Sequence, residues 1–106
     1  MDIETAAKCL AELGNPHRLE TFRTLIKAGP EGLTVGEIQR HLGIPKSTLS
    51  HHISHLLWAG LVKQHREGRS LRCVADFELS EALTDFLRDE CCKGFDDTSD
   101  REAGSA

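Results

Sequence analysis

Residues 34–60, TVGEIQRHLGIPKSTLSHHISHLLWAG, carry the pattern on which the fold turns. Thr34-Val-Gly-Glu37 has the form of a capping box, in which the threonine hydroxyl and the glutamate carboxylate each satisfy a backbone N–H of the first helical turn. Ile38 and Leu42 then face inward. Gly43-Ile44-Pro45 breaks the chain, and a second helix restarts with Ser47 near its cap, burying Leu49, Ile53, Leu56 and Leu57 before Gly60 ends it. Two helices joined by a tight glycine turn form a helix-turn-helix. Leu57 and Trp58 are expected to close it as core or interface residues.

Upstream, Ile3, Ala6, Ala7, Leu10 and Leu13 recur at helical spacing up to Gly14, which predicts a first helix. Asn15-Pro16, a cap followed by proline at the first helical position, opens a second with Leu19, Phe22, Leu25 and Ile26 on its apolar face; Gly29-Pro30 stops it. Downstream, Leu61–His65 and Ser70–Ala75 flank Arg66-Glu67-Gly68-Arg69, the mark of a β-hairpin. Ser80 is expected to cap a fifth helix through Ala82, Leu83, Phe86 and Leu87. The prediction is a mainly α fold with a small hairpin (α+β): a winged helix-turn-helix of four helices, a two-stranded wing over 61–75 and a last helix. It makes one domain over residues 1–94. An acidic, disordered tail is expected over 95–106, where Asp, Ser, Thr, Gly and Glu replace apolar residues.

The chain has 106 residues and a formal charge of −4, which looks wrong for a nucleic-acid binder until it is divided along the sequence. Residues 1–45 carry five Lys/Arg against six Asp/Glu, residues 46–72 five against one, and residues 73–106 three against ten. The basic band is Lys46, Lys63, Arg66, Arg69 and Arg72, with five of the six histidines at or just before it. That coincidence of charge and motif is the footprint phosphate contact requires. With four Phe, one Trp and no Tyr, there is no aromatic platform for single strands, and duplex DNA is the expected partner. No apolar run approaches the ~20 residues of a membrane span, so the expected location is cytoplasmic.

On the second helix of the motif, Ser47, Thr48, Ser50, His51, Ser54 and His55 lie away from the Leu49/Ile53/Leu56 stripe, free to meet a groove while the stripe meets the core. Lys46 and His52 join them as expected DNA contacts, and Arg66 and Arg69 at the wing tip suit phosphate or a narrow minor groove. His51 and His55 stand one turn apart, a spacing that also suits zinc. Their place at the expected groove favours the DNA reading.

The run from His41 to Val62, preceded by Gly14-Asn-Pro-His-Arg-Leu19 and followed by Arg66-Glu-Gly-Arg69, resembles the ArsR (arsenic repressor-like) family of metalloregulators over about residues 5–92. The resemblance implies a homodimer made by the first and last helices, a recognition helix in the major groove of operator DNA, and a repressor that leaves when an inducer binds. Two of the family's inducer sites are missing. Val35–Gln39 contains no thiol, so the cysteine box of the third helix is absent; the last helix offers Glu81, Asp85 and Asp89 but no histidine, so its zinc site is absent too.

What remains resembles the arsenic-responsive members with vicinal cysteines: Cys91-Cys92 at the end of the last helix. Thiolates favour soft centres, and adjacent sulfurs can grip one trivalent arsenic or antimony atom. Inorganic arsenite prefers three thiolates, with Cys9 as the candidate third; a methylated trivalent arsenical needs two. Cys73 is expected in the wing base. The same thiols are open to a redox or persulfide reading, including a bridge from Cys9, and to being incidental in a repressor without a metal inducer. Asp89 and Glu90 are expected to raise the thiol pKa. No catalytic set and no phosphate-cradling glycine loop occurs in motif context, so no enzyme is expected, and DNA binding needs no cofactor.

Overall fold

The computed structural model describes residues 1–95; the expected tail lies, Phe95 excepted, outside them. Helix α1 spans Ile3–Leu13, with the Asp2 carboxylate accepting from the Thr5 N–H at 2.7 Å. Helix α2 spans Pro16–Ala28 under the Asn15 cap, and a single 3-10 turn, Gly29–Glu31, follows. Strand β1, Leu33–Thr34, leads into α3, Val35–Leu42, whose capping box is fully formed: Thr34 N–H donates to Glu37 Oε1 at 2.8 Å and Glu37 N–H to Thr34 Oγ1 at 3.2 Å. Helix α4 spans Lys46–Trp58, strands β2 and β3 span Val62–Glu67 and Ser70–Ala75, and α5 spans Phe77–Arg88.

The wing pairs antiparallel from Val62 opposite Ala75 to Glu67 opposite Ser70, leaving Gly68 and Arg69 as a two-residue turn. Gly68 takes φ +64°, the left-handed value that the first position of such a turn asks for. Strand β1 adds to the other edge of β3, giving the sheet order β1-β3-β2 with Leu33 opposite Cys73. This third strand is absent from the sequence prediction, because two residues show no alternation and one of them, Thr34, doubles as a helix cap. Gly32, at φ +64°, makes the pairing possible: a Cβ there would stand 2.1 Å from the Cys73 carbonyl oxygen.

Two helix boundaries differ from expectation. Asp76 caps α5 by accepting from Leu79 N–H at 2.9 Å, and Ser80 sits inside the first turn with its N–H on the Asp76 carbonyl. The helix therefore starts four residues early, on Phe77 and Leu79, which pack against the core. It also stops at Arg88, so Cys91 and Cys92 lie in the turn beyond it, with Glu90 and Cys92 at φ +64° and +65°.

One core holds the elements together, with Leu25, Ile38, Leu49, Leu56 and Leu61 fully buried at its centre. Burying a side chain of this size contributes about 1.5–3 kcal/mol. Helix α1 divides its apolar residues between two sides: Ala6 and Cys9 enter the core, while Ile3, at 65% exposure, and Leu10, at 41%, look outward. Trp58 is 64% exposed, so it is not a core residue of the single chain; the Lys8 ammonium lies 4.2 Å from its ring centroid, a cation–π contact. Among the described residues, no helix is long and apolar enough to cross a membrane.

Candidate nucleic-acid interface and thiol pair

Helix α4 presents Lys46, Ser47, Thr48, Ser50, His51 and Ser54 to solvent while Leu49, Ile53 and Leu56 are buried. Its cap, Pro45, makes no side-chain hydrogen bond, so the first-turn N–H groups keep their donor capacity and the positive end of the helix dipole is open. Between α3, α4 and the wing runs a groove of about 450 Å³ that brings Lys46, Ser50, Ser54 and Arg69 onto one surface above an apolar floor of Val35, Ile53, Leu57 and Leu71. Gln39 and Ser70 also line it. They were not expected. Gln39 lies on the outward side of α3 and Ser70 at the wing turn, and each is legible only once the wing is folded against the helices.

Arg66 and Arg69 are exposed at the wing tip. Two other members of the basic band are tied down. Arg72 pairs with Glu67 at 2.9 Å and donates from Nη1 to the Glu31 and Gly32 carbonyls at 3.0 and 3.4 Å; Lys63 pairs with Asp76 at 3.7 Å.

His52 is a correction to the sequence reading. It is 7% exposed, turned toward α2, with its ring stacked on His17 at 5.9 Å and 24°, and it cannot reach a groove. Three residues after Leu49, beside Ile53 and four before Leu56, His52 falls on the flank of the buried stripe, whereas His51 stays on the solvent side. The His52 Nδ1 is buried without a hydrogen-bond partner. Burial, followed by the nearby Arg18 and histidines, holds its pKa below the ordinary 6.5, so the ring is neutral at pH 7. His55 is half-buried, and its Nδ1–H donates to Glu12 Oε1 at 2.8 Å. Glu12 in turn pairs with Arg18 at 3.4 Å, and Arg18 Nε donates to the Glu12 carbonyl at 2.7 Å. The chain of contacts joins α1, α2 and α4.

The cysteines separate into two kinds. Cys73 is fully buried in the wing base as expected, accepting from Gln64 Nε2 at 3.4 Å. Cys9 is also fully buried, its thiol directed at the Ala59 carbonyl at 3.7 Å, and burial pushes both thiol pKa values up. Cys9, expected as a candidate third ligand or bridging partner, is sealed between α1 and the end of α4, while Cys91 and Cys92 are exposed. The exposed pair stand 3.1 Å apart, sulfur to sulfur. The Cys91 pKa is raised, and the first cause is the hydrogen bond with Cys92 rather than the expected carboxylates Asp89 and Glu90. Among the described residues, no group of three or more His, Cys, Asp or Glu is placed to hold a metal ion.

Comparison with known proteins agrees with this architecture. A helix-turn-helix domain family model matches residues 13–65. The putative arsenical resistance operon repressor ArsR2 of Halobacterium salinarum is 33% identical over 85 residues, which span 80% of this chain and 70% of that protein. The nodulation protein NolR of Rhizobium meliloti is 34% identical over 93 residues, 84% of this chain and 74% of the relative. Among solved structures, an ArsR-like transcriptional regulator from Rhodococcus sp. RHA1 superposes with a TM-score of 0.74 at 20% identity, covering 96% of this chain and 89% of the other, which shows the shared fold. The matches make the chain a DNA-binding helix-turn-helix regulator rather than an enzyme, in a family that is typically dimeric. The chain belongs to the ArsR family of winged helix-turn-helix transcriptional regulators.

Proposed function

We propose that this regulator is a repressor that holds operator DNA as a homodimer through α4 and the wing, and releases it when a trivalent arsenic or antimony centre bridges Cys91 and Cys92. The observation that carries the reading is the pair of exposed sulfurs 3.1 Å apart, close enough for both to bond one atom. With Cys9 and Cys73 buried, each protomer offers two thiols rather than three. That favours a monomethylated trivalent arsenical, in which carbon already holds one position. Two As–O bonds break and two As–S bonds form, and the two thiol protons leave with the oxygens as two waters. Because the raised Cys91 pKa keeps that thiol protonated at neutral pH, exchange at the metalloid suits it better than oxidation through a free thiolate.

The DNA half of the proposal rests on the groove that gathers Lys46, Ser50, Ser54 and Arg69, and on the open positive end of α4 beside it. Phosphates would meet the two cations and the free N–H groups, and base edges the exposed hydroxyls. Serines read bases permissively, so register comes from phosphate contact. Release follows from linkage: a ligand that binds the DNA-free form better must weaken DNA binding by the same factor.

An operator duplex selected by the protein from random sequence, labelled for fluorescence anisotropy, provides the test. Methylarsenite should release it at lower concentration than arsenite or antimonite. Cys91→Ser and Cys92→Ser should each abolish release, and Cys9→Ser should leave it intact. Release by polysulfide or oxidant with none by trivalent arsenic would replace the metalloid reading with a redox one. Unchanged inducibility of the Cys91→Ser/Cys92→Ser protein would make both thiols incidental.

A further inference from the structure

A second group of ligating side chains lies away from the thiols, on α4. His51 and His55 are one helical turn apart, with ring centroids 4.6 Å apart and planes tilted by 74°. Their orientation is not left to chance at His55. The 2.8 Å contact engages His55 Nδ1 with the Glu12 carboxylate, so Nε2 is the ring nitrogen left to face an ion. A carboxylate behind an imidazole is the arrangement that orients and strengthens a metal-binding histidine. Glu12 is held by Arg18 and is only 13% exposed, so the carboxylate is a fixed support rather than a mobile competitor for the ion. His51 is exposed, and the Ser54 hydroxyl donates to its backbone carbonyl at 2.7 Å.

We propose that His51 and His55 form a two-imidazole site for a divalent transition ion of the nickel, copper and zinc class, with Glu12 as the positioning residue and water completing the coordination. Imidazole suits these ions and neither sulfur nor a third protein ligand is needed for a site with open positions. Metal–nitrogen bonds of about 2.1 Å put the two rings of one ion within a few ångström of each other, and a rotamer turn of the exposed His51 would bring its nitrogen to the ion held by His55. The metalloid proposal and this one involve different residues and stand independently. Where the two proposals meet is at DNA: if His51 faces the groove, ion and operator compete for it.

The molecule supplies its own reporter. Trp58 is the single tryptophan, and it shares a shallow hollow with Glu12, Ser54 and His55. The experiment titrates Ni²⁺, which is redox-inert toward thiols, into untagged Cys91→Ser/Cys92→Ser protein, reading Trp58 quenching and, separately, calorimetric heat. Saturable quenching with one ion per chain is expected. His51→Ala and His55→Ala should each weaken the apparent affinity at least about tenfold, and Glu12→Gln about 10–100-fold. His41→Gln and His65→Gln, which change exposed histidines elsewhere, should leave it unchanged. Absence of saturable binding, or equal affinity in the parent and His51→Ala proteins, overturns the site. Repeating the titration with excess operator duplex separates the readings. A weaker Ni²⁺ affinity places His51 at the DNA surface; an unchanged one leaves the ion site standing and removes His51 from the DNA contacts.

Discussion

Arg69 and Arg72 lie three residues apart on the wing and differ in what their charge is doing. Arg72 is spent on Glu67 and two backbone carbonyls, whereas Arg69 is exposed at the turn beside the groove. Arg69→Ala should therefore lower DNA affinity about equally across sequences and reduce the slope of log affinity against log salt by about one, measured by anisotropy at several salt concentrations. A loss confined to certain sequences would assign Arg69 to base reading instead. His52 gives a pH prediction. Its folded pKa is depressed, so below the unfolded value of 6.5 the unfolded chain binds more protons, and stability falls as pH drops through that value toward the folded pKa. His17, His51, His55 and Arg18 surround it and oppose its charging. Thermal melts from pH 7.5 to 5 should show a fall in Tm that is smaller in His52→Gln; equal falls would place the effect in the other histidines. At this scale the sequence showed which side chains were chemically able to act, but not which were already engaged. Neither the inward turn of His52 nor the sealing of Cys9 under Ala59 leaves a mark in residue type.

Among the elements, helices α1 to α4 and the wing were legible because each combines a strong period with a chemical boundary: the Asn15-Pro16 start, the Thr34–Glu37 capping box, the Gly43 and Gly60 breaks. The failures were equally specific. Strand β1 is too short to show alternation, and Asp76 and Ser80 are both acceptable helix caps, so that only the packing of Phe77 and Leu79 decides between them. Gly32 is the residue on which β1 depends. Gly32→Ala places a Cβ against the Cys73 carbonyl at a positive φ, and urea unfolding should show a loss of about 2 kcal/mol or more. A loss below about 0.5 kcal/mol would mean that β1 can detach from β3 at little cost to the fold.

For the molecule as a whole, the division of α1 into inner and outer apolar residues has a consequence for assembly. Ile3 and Leu10 are seven residues apart, on one face, and both are exposed in the single chain, beside an α5 that exposes Leu87 at 59%. If these faces join two copies, Ile3→Glu/Leu10→Glu should run as a monomer by light scattering while keeping its helical circular dichroism, and should lose most of its operator affinity because two half-sites are no longer held together. A dimer that survives both changes would move the interface elsewhere. The acidity that first argued against DNA binding is no obstacle at this scale: Asp76, Glu78, Glu81 and Asp85 belong to the start and body of α5, while the groove is lined by α3, α4 and the wing. The Arg72 clamp bears on the timing of recognition. By lashing the wing to the backbone before β1, it means that a flap which would otherwise sample many angles is held at one before any duplex arrives. The ordering entropy of the wing is thus met during folding rather than at encounter, so the wing tip docks as a rigid part whose reach is set in advance.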